Sequence, residues 1–527
     1  MKLVPLLLLP VLFAFAQSPK VENDARVGFE SIKADDLRTF DTYLSSDELQ
    51  GRETSYPGEK LAANYIAEHF KLFGLKPMGD NGTYLQHYDV EVSRVSDESR
   101  ITLNTHSMTS TYSWLNDFFA FGGKDTRVTG NVVFFGYMDI VISDSLKPKL
   151  AGIVVVVFTG QRRAPNDTAS AQLFRRVAQF RPDPEAAATI VIMDNEGPAS
   201  YARLTSQLGS FGILKGRMQL KGEPSSRPGR TSSLMFFASP SIAEAILKPE
   251  AKSLNELRAI AFKDSVFTPM YFDNAVVSIN TKLMNEERHA ENVVGLLEGS
   301  DPVLKKQVVV FSAHFDHLGT GSNGAIYHGA DDDGSGTSMV MDLALAFSKN
   351  PVRPKRSLLF LTVSGEEKGL LGSSFYTAHP AIPLDETIAD FNTDMIGRMD
   401  TSHERTSNVP YTYLIGSDKI STELDSVLKA ANKETEDLQL DYTYDSPTDP
   451  NHFYSRSDHY NFAKRGVPIA FFFTGVHADY HKPTDTVDKI LFDRIVKIGH
   501  VVYYAGWKTA NFSRMFTKDV KSSEYQQ

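Results

Sequence analysis

The stretch Gly329-Ala330-Asp331-Asp332-Asp333-Gly334-Ser335-Gly336 constrains this chain more than any other. Three successive carboxylates repel one another, and the flanking glycines let the backbone turn sharply around them. Like charges packed this closely need a cation to hold them. The loop follows a β-type run at 307–312 and the pair His314 and Asp316, and it precedes a helical pattern at 335–348. Strand, glycine-rich turn and helix in that order form one unit of an α/β fold.

The same texture continues downstream. Strand-type runs at 307–312, 357–363, 388–392, 413–415 and 468–473 alternate with helical patterns at 335–348, 370–378, 421–433 and 491–512. This alternation predicts an α/β fold with a mixed, mainly parallel sheet sandwiched by helices. Upstream, Pro57 opens a helix with an apolar stripe of Leu61, Ala62, Tyr65, Ile66 and Phe70, and Gly74 ends it. Short strands and turns follow over 75–115, including 84–92. Between 117 and 269 the texture changes: β-type runs at 128–137, 153–158 and 189–193, a helical stretch at 169–180, and a polar loop at 216–229. That segment carries no dense cluster of ligand-type residues and reads as a smaller inserted α/β domain. The expected division is a leader at 1–16, catalytic-domain parts at 17–116 and 270–527, and the insertion at 117–269.

Residues 1–16, MKLVPLLLLPVLFAFA, combine a lysine, an apolar run and Ala14-Phe15-Ala16. They predict a signal peptide, because the run falls short of the ~20 residues of a spanning helix. Export to the periplasm or the medium follows, with no membrane span after signal removal. The chain has no cysteine, so disulfides and thiolate metal ligands are excluded. A formal net charge of −10 argues against a nucleic-acid partner.

His314, Glu366-Glu367, Asp394 and His481 each lie at or just past the C-terminal end of an apolar run, and Asp332 lies on the loop after the first. In open α/β sheets ligands bind at that edge of the strands. Singly, each residue has a plainer reading: a core histidine, a helix start, a turn cap, a surface imidazole. Jointly, they form a ligand set of imidazoles and carboxylates suited to zinc or a similar divalent ion.

His314-x-Asp316, the acidic loop, Glu366-Glu367, Asp394-Met395 and Tyr480-His481-x-x-x-Asp485-Thr486 resemble the co-catalytic di-zinc exopeptidases. That family includes bacterial leucyl aminopeptidases, glutamate carboxypeptidases and the non-catalytic transferrin receptors. The resemblance runs from about Leu44 to the final helix and includes Leu49-Gln50-Gly51-Arg52 and Gly74-Leu75-x-Pro77. It implies that the insertion is a protease-associated domain. It also implies two zinc ions, bridged by Asp332, with His314 and Asp394 on one and Glu367 and His481 on the other. Glu366 becomes the general base, Asp316 the carboxylate that orients His314, and Asp332-Asp333 a cis peptide. Tyr454 resembles a tyrosine that stabilises the oxyanion in some members. His317, His328, His459 and His477 stay outside the ligand set. Substrates are then peptides, the activity most naturally that of an aminopeptidase, and the assembly a monomer or homodimer. A carboxypeptidase using Arg398 and Arg456, a transferrin-receptor-like binding protein and a glutaminyl cyclase are the alternatives.

Overall fold

The computed structural model describes residues 20–120, 125–138, 147–159, 186–193, 200–210, 215–222, 234–248, 252–263, 268–406 and 409–520. The predicted leader at 1–16 and the helical stretch at 169–180 lie outside them. Among the described residues, no helix is long and apolar enough to cross a membrane.

Nine strands run in one path through the larger sheet: β1 (Leu85–Val95), β2 (Arg217–Leu220), β3 (Leu283–Leu297), β4 (Val308–His314), β5 (Ser357–Val363), β6 (Thr387–Thr393), β7 (Tyr411–Ile415), β8 (Gln439–Asp441) and β9 (Ile469–Phe473). Their order is β8-β7-β9-β6-β4-β5-β3-β1-β2, with the short Lys76–Pro77 strand paired to β3. The centre, β9-β6-β4-β5, is parallel. Antiparallel pairings flank it, through β3, β1 and β2 on one side and β7 on the other.

The central strands are parallel because both of their faces are buried, and their sequences read as continuous apolar runs. The strand period is present but concealed. Val309, Phe311, Ala313, Leu358 and Phe360 enter one core, and Val308, Val310, Leu359, Leu361 and Val363 enter the other. Helices Pro57–Leu72, Gly336–Lys349 and Phe492–Ala510 cover the first face. Leu371–Ala378, through Tyr376, and His459–Lys464, through Phe462, cover the second. In Pro57–Leu72 the buried residues are Ala62, Ala63, Ile66, Ala67 and Phe70, while Leu61 is 41% exposed. The apolar stripe is therefore turned one residue away from Leu61.

A second, eight-stranded sheet has its own core around Val132, Val155, Ile190 and Phe237. Its strands include Arg100–Thr105, Thr109–Ser113 and Met270–Thr281, which lie outside 117–269. Arg100–Thr105 pairs with Met270–Thr281, placing Ile101 opposite Ile279. The chain passes between the sheets where Ser96 N–H donates to the Lys282 carbonyl at 2.8 Å. Within 216–229, Arg217–Leu220 is not a loop. It forms β2 and pairs antiparallel with β1 on the larger sheet.

Candidate metal centre

The parallel centre of the sheet brings the chemistry-bearing residues to one rim. His314 is the last residue of β4, Asp394 follows β6, and Glu366 and Glu367 sit in the turn after β5. Asp332 lies in the turn Ala330–Ser335 that leads into Gly336–Lys349, and His481 lies in the loop after β9. Met395 and His481 both have positive φ, at 53° and 55°. Such left-handed positions in non-glycine residues cluster at functional sites.

The three aspartates divide their work. Asp331 Oδ1 accepts the Gly397 N–H at 2.7 Å, and its Oδ2 lies 3.1 Å from His477 Nε2. Asp333 Oδ1 accepts N–H groups from Gly336 at 2.9 Å and Met395 at 3.1 Å, and its Oδ2 accepts that of His314 at 3.2 Å. Only Asp332 points at the ligand cluster. The expectation that a cation holds all three carboxylates is thus corrected: backbone N–H groups and one imidazole hold the outer two. Gly336 is required here, since a Cβ would lie 2.2 Å from the Thr393 carbonyl and 2.4 Å from Asp333 Oδ1. The Asp332–Asp333 peptide is cis.

Around Asp332 two groups of donors meet. On one side, His314 Nε2 lies 3.4 Å from Asp332 Oδ1 and 3.6 Å from Asp394 Oδ1. On the other, His481 Nε2 lies 3.1 Å from Asp332 Oδ2 and 3.3 Å from Glu367 Oε2. His317 Nδ1 also lies there, 2.9 Å from Glu367 Oε1 and 3.8 Å from Asp332 Oδ2. His314, Asp332 and Asp394 form one set with ligand atoms within 4.8 Å of one another, and His317, Asp332 and Glu367 form another. His314 Nε2, both ring nitrogens of His317, Asp332 Oδ2 and Glu367 Oε1 are buried without a directed hydrogen bond. Buried polar atoms are ordinarily satisfied, so this convergence of orphaned imidazole and carboxylate atoms fits a bound divalent cation.

Glu366 Oε2 is 3.9 Å from His314 Nε2, beside the cluster. Burial pushes its carboxyl well above the ordinary range, with His314 opposing and Glu367 and Asp394 adding to the rise. Burial opposes charge on the His481 imidazole too, but Glu367 and Asp332 outweigh it and raise that group to about 11. Asp316 accepts the Glu366 N–H at 3.1 Å and the Thr54 hydroxyl at 2.7 Å. Its carboxylate is 3.6 Å from His314 Nδ1, and its backbone carbonyl is nearer, at 3.2 Å. Both oxygens face the ring nitrogen that the cluster does not use.

Arg52 is wholly buried and donates to the carbonyls of Phe315, Leu44, His328 and Gly329. It thereby clamps the strand end to the start of the acidic loop. His328 pairs with Asp47 at 2.9 Å, away from the cluster. His459 Nε2–H donates to the Tyr454 carbonyl at 2.9 Å and the ring stacks on Phe471, and burial lowers its pKa to about 3.

A pocket beside the cluster is lined by Asp332, Glu366, Asp394, Met395, Phe453, Arg456, Phe471, Phe473, Val476 and Tyr480. Phe471 and Phe473 face this pocket, whereas Phe472 alternates into the opposite core. Tyr454 does not line it and packs near His459 and Tyr460. The turn Phe453–Ser455 is a 3₁₀ turn, so Phe453 and Arg456 share the inward face and Tyr454 points elsewhere. Tyr480 takes the place at the rim, stacked on His481 at 3.8 Å between ring centroids. Arg398 is engaged by Asp479 at 3.1 Å. The sequence places His317 outside the ligand set and gives Tyr480 no role of its own; their adjacency to His314-x-Asp316 and His481 was the available signal.

Residues 292–506 match Peptidase family M28. The match covers less than half of the chain. Among curated proteins, aminopeptidase YwaD of Bacillus subtilis (strain 168) is 29% identical over 220 residues, 40% of this chain and 43% of that one. The probable leucine aminopeptidase 2 of Aspergillus oryzae is 32% identical over 194 residues, 36% of this chain and 34% of that protein. This chain thus spans less than half the length of either relative. The structure of an aminopeptidase from Aneurinibacillus sp. strain AM-1 matches 94% of this chain and 98% of its own, with TM-score 0.55 and 18% identity. At that identity the likeness concerns the fold.

Proposed function

We propose that this M28 protein is an exported zinc-dependent exopeptidase that releases amino-terminal residues from peptides. One observation carries the reading: two sets of imidazole and carboxylate donors share Asp332, with Glu366 beside them. His314 and Asp394 would hold one zinc, Glu367 with His481 or His317 the other, and Asp332 both. The name of the B. subtilis relative, an aminopeptidase, supports the same direction.

Zinc, when bound, supplies a polarised substrate carbonyl and a water of lowered pKa. Glu366, which stands beside the cluster without completing it, takes the proton from the attacking water and returns it to the leaving amine. Asp316 holds His314 in one tautomer through Nδ1. Arg456 Nη2 donates to the Tyr480 hydroxyl at 3.3 Å, which leaves the phenolic proton for the developing oxyanion. Burial raises the Tyr480 pKa. Met395, Phe453, Phe471, Phe473 and Val476 offer apolar walls for the side chain beside the scissile bond.

A carboxypeptidase is the second reading, because Arg456 lines the pocket while Arg398 is already paired. We further propose that the second domain begins near Ser96 and ends near Lys282, where the chain crosses between sheets. The deciding experiment digests a mixed peptide pool and reads the products by mass spectrometry, with chelated and zinc-restored controls. Chelator-sensitive loss from amino termini supports the proposal. Loss from carboxy termini transfers it to the second reading, and no loss overturns both.

A further inference from the structure

One buried carboxylate, Glu53, joins the residue that leads into β2 to the turn that carries Glu366 and Glu367. Glu53 is 5% exposed, and each of its oxygens meets a lysine. Lys215 Nζ lies 2.5 Å from Oε2, and Lys368 Nζ lies 3.0 Å from Oε1. Lys368 directly follows Glu366 and Glu367, in a turn closed by the N–H groups of Gly369 and Leu370 on the Glu366 carbonyl. Lys215 comes from the other domain's side of the chain, between its strands Ala188–Ile192 and Met235–Ala238. It also donates to the Thr320 carbonyl at 3.0 Å.

Each neighbour of Glu53 reinforces this position. Arg52 holds the Phe315 and Gly329 carbonyls, and Thr54 holds the carboxylate of Asp316. Glu53 itself forms a parallel bridge with His317. Gly319 makes room, because a Cβ there would fall 2.5 Å from Glu53 Oε2. Immediately after Lys215, β2 pairs on β1, so the lysine is anchored on the larger sheet's edge.

We propose that Lys215, Glu53 and Lys368 form a relay by which the second domain sets the position of the turn carrying Glu366 and Glu367. With the relay closed, Lys368 is drawn toward Glu53 and the turn is held against β5. With Lys215 withdrawn, Glu53 and Lys368 lose their outer support and the turn loosens. All three are positioning residues. The inserted domain then acts on turnover itself. This rests on the peptidase reading for its kinetic consequence, but the loosening of the turn does not.

The test uses the full chain and the variants Lys215→Met, Lys368→Met, their double and Lys215→Arg. A chromogenic aminoacyl substrate too small to reach the second domain reports kcat and KM with zinc loaded. Hydrogen exchange of the 365–370 segment is measured on the zinc-free protein. We expect Lys215→Met to lower kcat by about two- to thirtyfold with KM unchanged, and to speed exchange at 365–370. Lys215→Arg restores both, and the double variant falls no further than Lys368→Met alone, because both lysines act through Glu53. Unchanged exchange in Lys215→Met overturns the relay, as does independent, multiplicative loss from the two lysines. If the wild-type protein cleaves no amino terminus, the function fails and the exchange result still decides the relay.

Discussion

Asp485 Oδ2 accepts the backbone N–H groups of both Asp331, at 3.0 Å, and Asp332, at 3.2 Å. The carboxylate four residues after His481 therefore fixes the loop that carries Asp332. This gives the His481-x-x-x-Asp485 spacing a physical meaning: one arm reaches the cluster, and the other braces the loop opposite. Asp485→Ala leaves two buried N–H groups without an acceptor, at a cost of about 1–3 kcal/mol each. We expect a lower Tm and weaker zinc retention after dialysis. Asp485→Asn keeps an acceptor and loses less. Equal zinc retention in wild type and Asp485→Ala would sink this assignment.

Glu366 stands beside the cluster without being needed to complete it. Glu366→Ala should keep both zinc ions by elemental analysis while kcat falls by about 10²–10⁴-fold. Glu366→Gln, which preserves shape and cannot take a proton, should fall as far. An active, fully loaded Glu366→Gln would remove the general-base role.

His317 and His481 compete for the same side of Asp332. His317 is fully buried and His481 partly exposed, and both face Glu367. If His481 is the ligand and His317 a buried neighbour, His481→Ala should hold about one zinc per chain, and His317→Ala about two with reduced affinity. The reverse stoichiometry would move His317 into the ligand set.

Tyr480 and Tyr454 separate the rim from the wall behind it. Tyr480→Phe removes a hydroxyl next to the acids, and we expect kcat to fall about 10²-fold with KM little changed. Tyr454→Phe should stay within about threefold of wild type. A larger loss in Tyr454→Phe than in Tyr480→Phe would reinstate the sequence-based choice.

How far the sequence carried can be seen at particular residues. The convergence of His314, Asp332, Glu366, Glu367, Asp394 and His481 was legible because each ends an apolar run, and parallel strands end at one rim. The alternation of apolar runs with helical patterns likewise announced a mixed, mainly parallel sheet, although which strands run antiparallel did not show. What escaped depends on contacts between distant segments. Nothing local marks Arg52 as the clamp on Phe315 and Gly329, or Asp333 as a backbone acceptor rather than a ligand. Tyr454 lies off the pocket wall because a 3₁₀ turn assigns faces by threes, and the sequence did not reveal the turn. β2 hid inside a polar loop because an edge strand of four residues has too little pattern to read.

Asp390 offers a pH test remote from substrate. Its side chain is wholly buried in β6, where Oδ1 accepts the Ser312 hydroxyl at 2.7 Å and Oδ2 has no hydrogen-bond partner. Burial pushes its pKa up to about 8, with Ser312 opposing the shift and Asp458 adding to it. In the unfolded chain the same group titrates near 4. Below that value both states hold the proton, and the folded protein bears no penalty from this group. As the pH rises from about 4 toward 8, the unfolded chain releases its proton first and gains stability relative to the folded one. The group's contribution therefore declines across that window, by on the order of a few kcal/mol. Asp390→Asn has no proton to release and should flatten the fall. Urea unfolding of zinc-chelated protein at pH 5, 6, 7 and 8 would measure it, with the wild-type-minus-variant difference isolating this one residue. Parallel curves for the two proteins would mean that Asp390 ionises in the fold, against the burial that surrounds it.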